Sequence, residues 1–387
     1  MQEHEVYMRS LHSNVVKRVE RLPKPRRLSD ALQPIFEAIS NAIHSTQEKF
    51  GDDVASKGEI YVDVTLPKNK KQAEVTVSDN GVGLNEKHFD AFITTDTDNK
   101  IEIGGKGVGR LLWLDCFESI HVASNYQSDA LAWRKREFDF QLSNTNQIIN
   151  YVENALQTHS LVSGVNITFS KLRTEQYTKY FPKKGAYVFQ HFVSHFLPVL
   201  ISGKCPRIFI TCEGDTREYP VDVGDIILRQ EEEGLIQTKD YGQLSLTLME
   251  CNKVASSDLK GHHFIHFIAH DRTVRSQKID AKLGFNFFGS DNDRVFHACL
   301  KGQYLDENVN QERTNFVFED SVVEDIVNDV CMPHVEQFLS GPIYEMKSSQ
   351  REKLDQIAST YPSVAFGNTE DLQKHIPLGE LQDDAIF

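Results

Sequence analysis

Apolar residues recur at Ala31, Ile35, Ile39, Ala42 and Ile43, the spacing of one helical face. The stripe predicts a helix capped by Ser29 or Asp30 and running to about Phe50. Glu37 and Asn41, spaced i and i+4, project from neighbouring turns on the same side of that helix. The period then drops to two. "GEIYVDVTL" and "QAEVTVSDNG" read as two strands joined by the turn-like "PKNKK", and the second ends abruptly in Asp79-Asn80-Gly81-Val82-Gly83. A polar loop is expected from Asn85 to Gly109, then a short helix through Leu114. Strands are expected again at "SIHVASNY", "AWRKREFDFQL" and "GVNITFSKL", which together make a helix-plus-mixed-sheet domain.

Helical spacing returns in "AYVFQHFVSHFLPVLI", with Phe189, Phe192, Val193, Phe196 and Leu197 on one side, joining the first domain to a second. The second domain reads as strands near "RIFITCEG", "QLSLTLMEC" and "HFIHFIAHDRTV", with a later helix from about Val322 to Leu339 ahead of Gly341-Pro342. After about Gln356 the chain turns polar and turn-rich, as a tail or as the start of something further. There is no internal repeat. The expected division is 1–27, 28–180, 181–340 and 341–387.

The densest chemical signal is "NKIEIGGKGVGRLLWLDCF", where Gly104, Gly105, Gly107 and Gly109 surround Lys106 just ahead of an apolar run. Such a run suits backbone amides aimed at an anion. It is not a Walker loop, because Arg110 and Leu111 stand where Lys and Ser or Thr would follow Gly109. Nor is it a Rossmann fingerprint, because "TTDTDNK" precedes it rather than a strand.

Composition narrows the classes. The chain of 387 residues is 40% apolar and 25% charged, that of an ordinary globular protein of two to three domains. No apolar run reaches the roughly 18 residues of a membrane span, and the N-terminus carries no apolar signal core. Six scattered cysteines without a C-x-x-C pair argue against a zinc site or a disulfide framework and fit a reducing cytoplasm. His262, His266 and His270 would share one strand face but span too far for one ion. A net charge of −14 disfavours nucleic-acid binding by the whole surface, although Lys17, Arg18, Arg21, Lys24, Arg26 and Arg27 form a local basic run.

"FEAISNAIHS", "VSDNGVGL" and "GGKGVGRLLWL" lie in the order and spacing of the N, G1 and G2 boxes, and the region from 28 to 172 closely resembles the GHKL ATPases. That superfamily includes gyrase B, Hsp90, sensor histidine kinases, MutL and MORC proteins. The resemblance implies an α+β chain: a Bergerat-type two-layer α/β sandwich with a mixed sheet, followed by a transducer (S5-like) α/β domain. It implies ATP and Mg²⁺ as ligands. Asp79, an acceptor when ionised, would take the exocyclic amine of adenine, with Gly81 and Gly83 letting the purine approach the backbone. Asn41 would be an oxygen ligand of Mg²⁺, and Glu37 the base for the water attacking the γ-phosphate. Gly105, Lys106, Gly107, Val108 and Gly109 would line the phosphates at a helix start. One box departs from the family: Val165 follows Gly164 where a Thr is usual, which leaves Thr168 as the hydroxyl to support Asp79.

A sensor kinase needs a histidine hairpin ahead of the N box, and only about 28 residues precede it. "HFIAHDRTVRSQK" resembles the transducer of MutL- and gyrase-type ATPases, and "YLDENVNQERTNF" the Hsp90 middle-domain loop. By that likeness Arg313 is the γ-phosphate sensor, with Lys278 or Lys282 as competing transducer cations. The resemblance implies an ATP-gated homodimer clamp, gated by a lid at about Phe89 to Gly104 and strapped by residues 1 to 27, acting on nucleic acid in bacterial defence or DNA repair. Its rivals are an Hsp90-like chaperone and a nucleotide-gated interaction module without turnover.

Overall fold

A computed structural model describes residues 14–94, 109–128, 130–156, 162–255, 261–270, 272–309, 315–360, 373 and 376–378. Its α+β fold carries two sheets in two compact units. Among the described residues, the first unit takes in those up to 94, then 109–185 and 209–216; the second takes in 186–208 and those from 217 onward.

In chain order, the first unit begins with α1 (Val15–Glu20), α2 (Leu28–Phe50) and α3 (Val54–Lys57). There follow β1 (Glu59–Thr65), β2 (Glu74–Asp79), α4 (Glu86–Ile93) and α5 (Gly109–Cys116). Then come β3 (Phe117–Gln127), β4 (Trp133–Phe140), β5 (Ile148–Ala155), β6 (Gly164–Leu172) and α6 (Glu175–Tyr180). After α7 (Gly185–Leu200) come β7 (Arg207–Cys212) and β8 (Asp215–Tyr219). The first sheet has the order β5-β4-β3-β6-β2-β1-β7-β8. The β6 strand therefore slots between β3 and β2, antiparallel to both.

The α2 stripe is fully sequestered: Ala31, Leu32, Ile35, Phe36, Ile39, Ala42 and Ile43 are buried, and the helix lies on β1, β2 and β6. Each buried Leu, Ile or Phe side chain among these contributes about 1.5–3 kcal/mol, so the interface holds the helix far more firmly than its propensity would. Asp30 caps from inside the first turn instead of from the cap position. The helix starts at Leu28, and the Asp30 carboxylate accepts the Arg26 amide and the Arg27 Nε at 3.0 Å each. The alternating burial of β1 and of β3 puts Val62, Val64, Ile120 and Val122 toward the helices.

Three local expectations change. The polar loop from Asn85 contains a helix, α4: the Asn85 side chain caps it by accepting the His88 amide at 3.0 Å, and Phe89 and Phe92 pack on Phe138, Phe140 and Trp113. The segment "IINYVENA" forms β5, an edge strand with only partly covered or exposed side chains, which leaves no apolar period to read. "RIFITC" forms β7 beside β1 in the first sheet, although it had been expected in the second domain.

The second unit holds β9 (Ile227–Gln237), β10 (Gln243–Asn252), β11 (Phe264–Ala269), β12 (Arg272–Lys278), α8 (Asp280–Leu283), β13 (Arg294–Gly302) and α9 (Gln303–Glu307). Helices α10 (Asp320–Asp325) and α11 (Met332–Phe338) are joined by a π-helical turn at Ile326–Cys331, and α12 (Ser340–Thr360) follows. The chain does not stop at Gly341-Pro342. Pro342 falls in the first turn of α12, where a missing N–H is harmless. The sheet order is β12-β11-β13-β10-β9, with β11 and β13 parallel. Leu246, Leu248, Phe267, Phe296 and Leu300 form its core with Val323, Ile326, Val327 and Val335. All six cysteines are free and buried.

Candidate functional site

Three stretches of the first unit converge around α2. On its polar flank Glu37, Asn41 and Ser45 follow one another at i, i+4 and i+8, one per turn along the same side. Gly109, the first residue of α5, presses its backbone against the Glu37 carboxylate. A Cβ there would lie 2.0 Å from Oε1, so any larger residue would push the Glu37 carboxylate from its present place. The start of α5 and the candidate base are thus in contact.

Asp79 ends β2 beneath the same flank. Its Oδ1 accepts the Gly81 amide at 2.8 Å and the Ser45 hydroxyl at 3.4 Å. Burial pushes the carboxyl up to about 7, against the opposing pull of the Gly81 amide, the Ser45 hydroxyl, the Val165 amide and the Lys49 charge. The Lys49 ammonium bonds the carbonyl oxygens of Asn80 and Ser163, and burial lowers its pKa.

The turn after Asp79 is tied on every side. Gly83 adopts φ +77°, the left-handed region that favours glycine. Ser124 accepts the Leu84 amide at 2.8 Å and donates to Gly164 O at 2.9 Å, while Ser163 donates to Gly81 O at 2.6 Å. Asn80 faces away to structural work: its side chain accepts the Glu59 amide and donates to Lys57 O, each at 2.8 Å. Behind the turn lies Arg136, only 1% exposed, whose guanidinium bonds Leu84 O at 2.7 Å, Glu86 at 2.9 Å and the hydroxyls of Tyr126 and Tyr151 at 3.0 Å. It lies 4.1 Å from the Phe89 ring. At the other end of α4, Arg110 holds the carbonyls of Ala91 and Thr94. The α4 helix is therefore bracketed by two arginines.

Thr168 is not part of this site. It pairs with Thr76 across β6 and β2, and its hydroxyl lies 3.5 Å from the Thr76 hydroxyl and donates to Asn166 Oδ1 at 3.5 Å. Strand alternation sends Thr76 and Asp79 to opposite faces of β2, and Thr168 goes with Thr76. Besides the Gly81 amide, Asp79 receives donors from Ser45 on α2 and the Val165 backbone. Ser45 belongs to none of the sequence motifs, although the i, i+4, i+8 spacing from Glu37 points to it.

Gly105, Lys106, Gly107, Val108 and Arg313 lie outside the described residues, as does most of the expected lid. Lys278 and Lys282 belong to the second unit and are paired within it, with Asp280 at 3.0 Å and Glu324 at 2.9 Å respectively. Of the histidines, His266 bonds His297 at 2.8 Å in the sheet interior and His270 closes a turn on Asp306, so the strand does not assemble a metal site. Among the described residues no group of three or more His, Cys, Asp or Glu side chains can hold a metal, and no helix is long and apolar enough to cross a membrane. Residues 14–27 lie on their own unit: α1 packs against α5, Val19 is buried, and Lys24 pairs with the buried Asp115.

No family model matches the sequence, and no curated protein is similar to it. Among solved structures the chain is similar to one described as the N-terminal domain of a DNA repair protein, with 10% identity and a TM-score of 0.49, over 84% of this chain and 98% of that one. That likeness is too slight to carry either fold or chemistry.

Proposed function

We propose that the chain is a Mg²⁺-dependent ATPase of the GHKL type, working as an ATP-gated dimer clamp with nucleic acid as its client. The observation that carries the reading is the contact of Gly109 with Glu37 on a helix whose next turns present Asn41 and Ser45, with Asp79 and the Gly81-Val82-Gly83 turn beneath Ser45. Residues of three sequence boxes that need not be near one another meet along one side of α2.

In this reading Asp79 accepts the adenine amine, since Gly81 and Ser45 occupy only part of the roughly four lone-pair positions of a carboxylate. Glu37 orients and deprotonates the attacking water, and the first turn of α5 beside it faces the phosphates. The donor set suits Mg²⁺. Asn41 offers a single neutral oxygen, and this ion keeps waters and phosphate oxygens as its other ligands. When bound, Mg²⁺ supplies neutralisation of phosphate charge.

The clamp and its client rest on the likeness of the motifs to MutL- and MORC-type ATPases; an Hsp90-like chaperone stays as the rival. Equilibrium binding of Mg-ATP to the wild type and to Asp79→Ala, with sedimentation of both, tests the reading. Binding lost in the variant, with nucleotide-dependent dimerisation and salt-sensitive DNA binding of the wild type, is expected. Equal binding by both proteins overturns the site, and an association state indifferent to ATP overturns the clamp.

A further inference from the structure

Thr168 lies on the wrong face of the sheet, yet Asp79 is not left without a hydroxyl. We infer that Ser45 is the positioning residue that sets base selection at this site, by aiming the Asp79 carboxylate from the helix side. The inference rests on the reading of the site as a nucleotide site and adds to it the residue on which the choice of purine depends.

The Ser45 hydroxyl links the turn to the carboxylate. It accepts the Val82 amide at 3.1 Å, which directs its own hydrogen away from the turn and toward Asp79 Oδ1 at 3.4 Å. A hydroxyl has a single hydrogen to give, so accepting from Val82 and donating to Asp79 are the two halves of one arrangement. The fit is close: a Cβ on Gly81 would sit 2.1 Å from Ser45 Oγ, so the turn is seated directly on this side chain. Gly81 and Ser45 together occupy Oδ1. The Val165 amide adds a third donor, which leaves one of the roughly four lone-pair positions of the carboxylate for a ligand donor.

The chemistry of the two purines makes the consequence specific. Adenine presents an amino donor where guanine presents a carbonyl oxygen. An ionised, aimed Asp79 accepts from the first and repels the second. Without Ser45 the carboxyl loses a donor that favours its charged form, and a protonated Asp79 can give a hydrogen bond to the guanine carbonyl. Loss of Ser45 therefore weakens ATP while sparing GTP, whereas a general loosening of the fold weakens both.

The test is calorimetric binding of Mg-ATP and Mg-GTP to the full chain as wild type, Ser45→Ala and Asp79→Ala. Ser45→Ala is expected to bind ATP about tenfold more weakly, the worth of one hydrogen bond to a charged group, with GTP unchanged or tighter. Alanine favours the helix at this position, so the variant is expected to fold. Should it not, Ser45→Cys replaces the hydroxyl by a weak thiol donor and is expected to narrow the ATP/GTP preference in the same sense. An unchanged ATP/GTP ratio in the folded variant, with Asp79→Ala unable to bind ATP, overturns the role of Ser45 and leaves the site standing. Equal ATP binding by the wild type and Asp79→Ala overturns the site itself, and the inference with it.

Discussion

Asp79→Asn is expected to stabilise the first unit while removing its affinity for ATP. Asp79 has its carboxyl raised from 3.8 to about 7, with burial as the leading cause. A folded-state pKa above the unfolded one means that the unfolded chain loses its proton first, so stability falls as pH rises from 3.8 to about 7 and stays low beyond. At 1.36 kcal/mol per unit, the cost is about 2 kcal/mol at pH 5 and about 4 kcal/mol at pH 8.5. Asparagine keeps an acceptor oxygen for the Gly81 amide and the Ser45 hydroxyl and carries no charge to desolvate. Its stabilising effect is expected to be larger at pH 8.5 than at pH 5 by about 2–3 kcal/mol. Urea titration followed by tryptophan fluorescence isolates the unit concerned, because both tryptophans, Trp113 and Trp133, belong to it. The reasoning is refuted if the substitution destabilises at pH 8.5, or if its effect is the same at both pH values. Opposite signs for stability and for ATP affinity are what a binding residue gives and a structural one does not.

Other outcomes follow from the same geometry. Arg136→Met leaves the Leu84 carbonyl and the Tyr126 hydroxyl without their buried donor, while Glu86 is exposed and Glu153 keeps Arg134, and is expected to cost about 1–3 kcal/mol in the same titration. Glu153, held down to about 2 chiefly by the Tyr151 hydroxyl and then by Arg134, Tyr126 and Arg136, contributes stability that is present above 4.5 and fades as pH falls toward 2; acid titration of Glu153→Gln should lack that component. In the second unit, burial lowers the pKa of His266 to about 4 and that of His297 further, so both are neutral when folded. The unit is expected to hold its stability above pH 6.5 and lose it as pH falls toward 4, read as faster hydrogen exchange at the amides of β11 and β13.

The sequence pattern reached the elements whose periodicity was intact and missed those where tertiary contacts decide. The α2 stripe and the alternating β1 were legible because each buries one full face. The α4 helix was legible in principle from Asn85, Phe89, Phe92 and Ile93, but it stands in a polar run and its apolar side chains stay only partly covered. The β5 strand gave no signal, since an edge strand with both faces open needs no alternation. That β7 adds to the first sheet is a matter of strand order, which no local pattern encodes.

The candidate site divides in the same way. Glu37, Asn41, Asp79, Gly81 and Gly83 stood out by motif, and Ser45 could be counted from Glu37 in steps of four. The misplacement of Thr168 could not be seen without the register that pairs it with Thr76. Ser124 and Arg136 act on the turn from β3 and β4, so their part depends on strands distant in sequence.

The central claim is hydrolysis of ATP with Glu37 as the base. Phosphate release from Mg-ATP, compared between the wild type and Glu37→Ala under conditions where both are saturated, tests it most directly. The account predicts Mg²⁺-dependent turnover in the wild type and, in a variant that still binds ATP, a rate lower by at least about a hundredfold. Turnover that survives the substitution, or a wild type that binds no ATP, contradicts it.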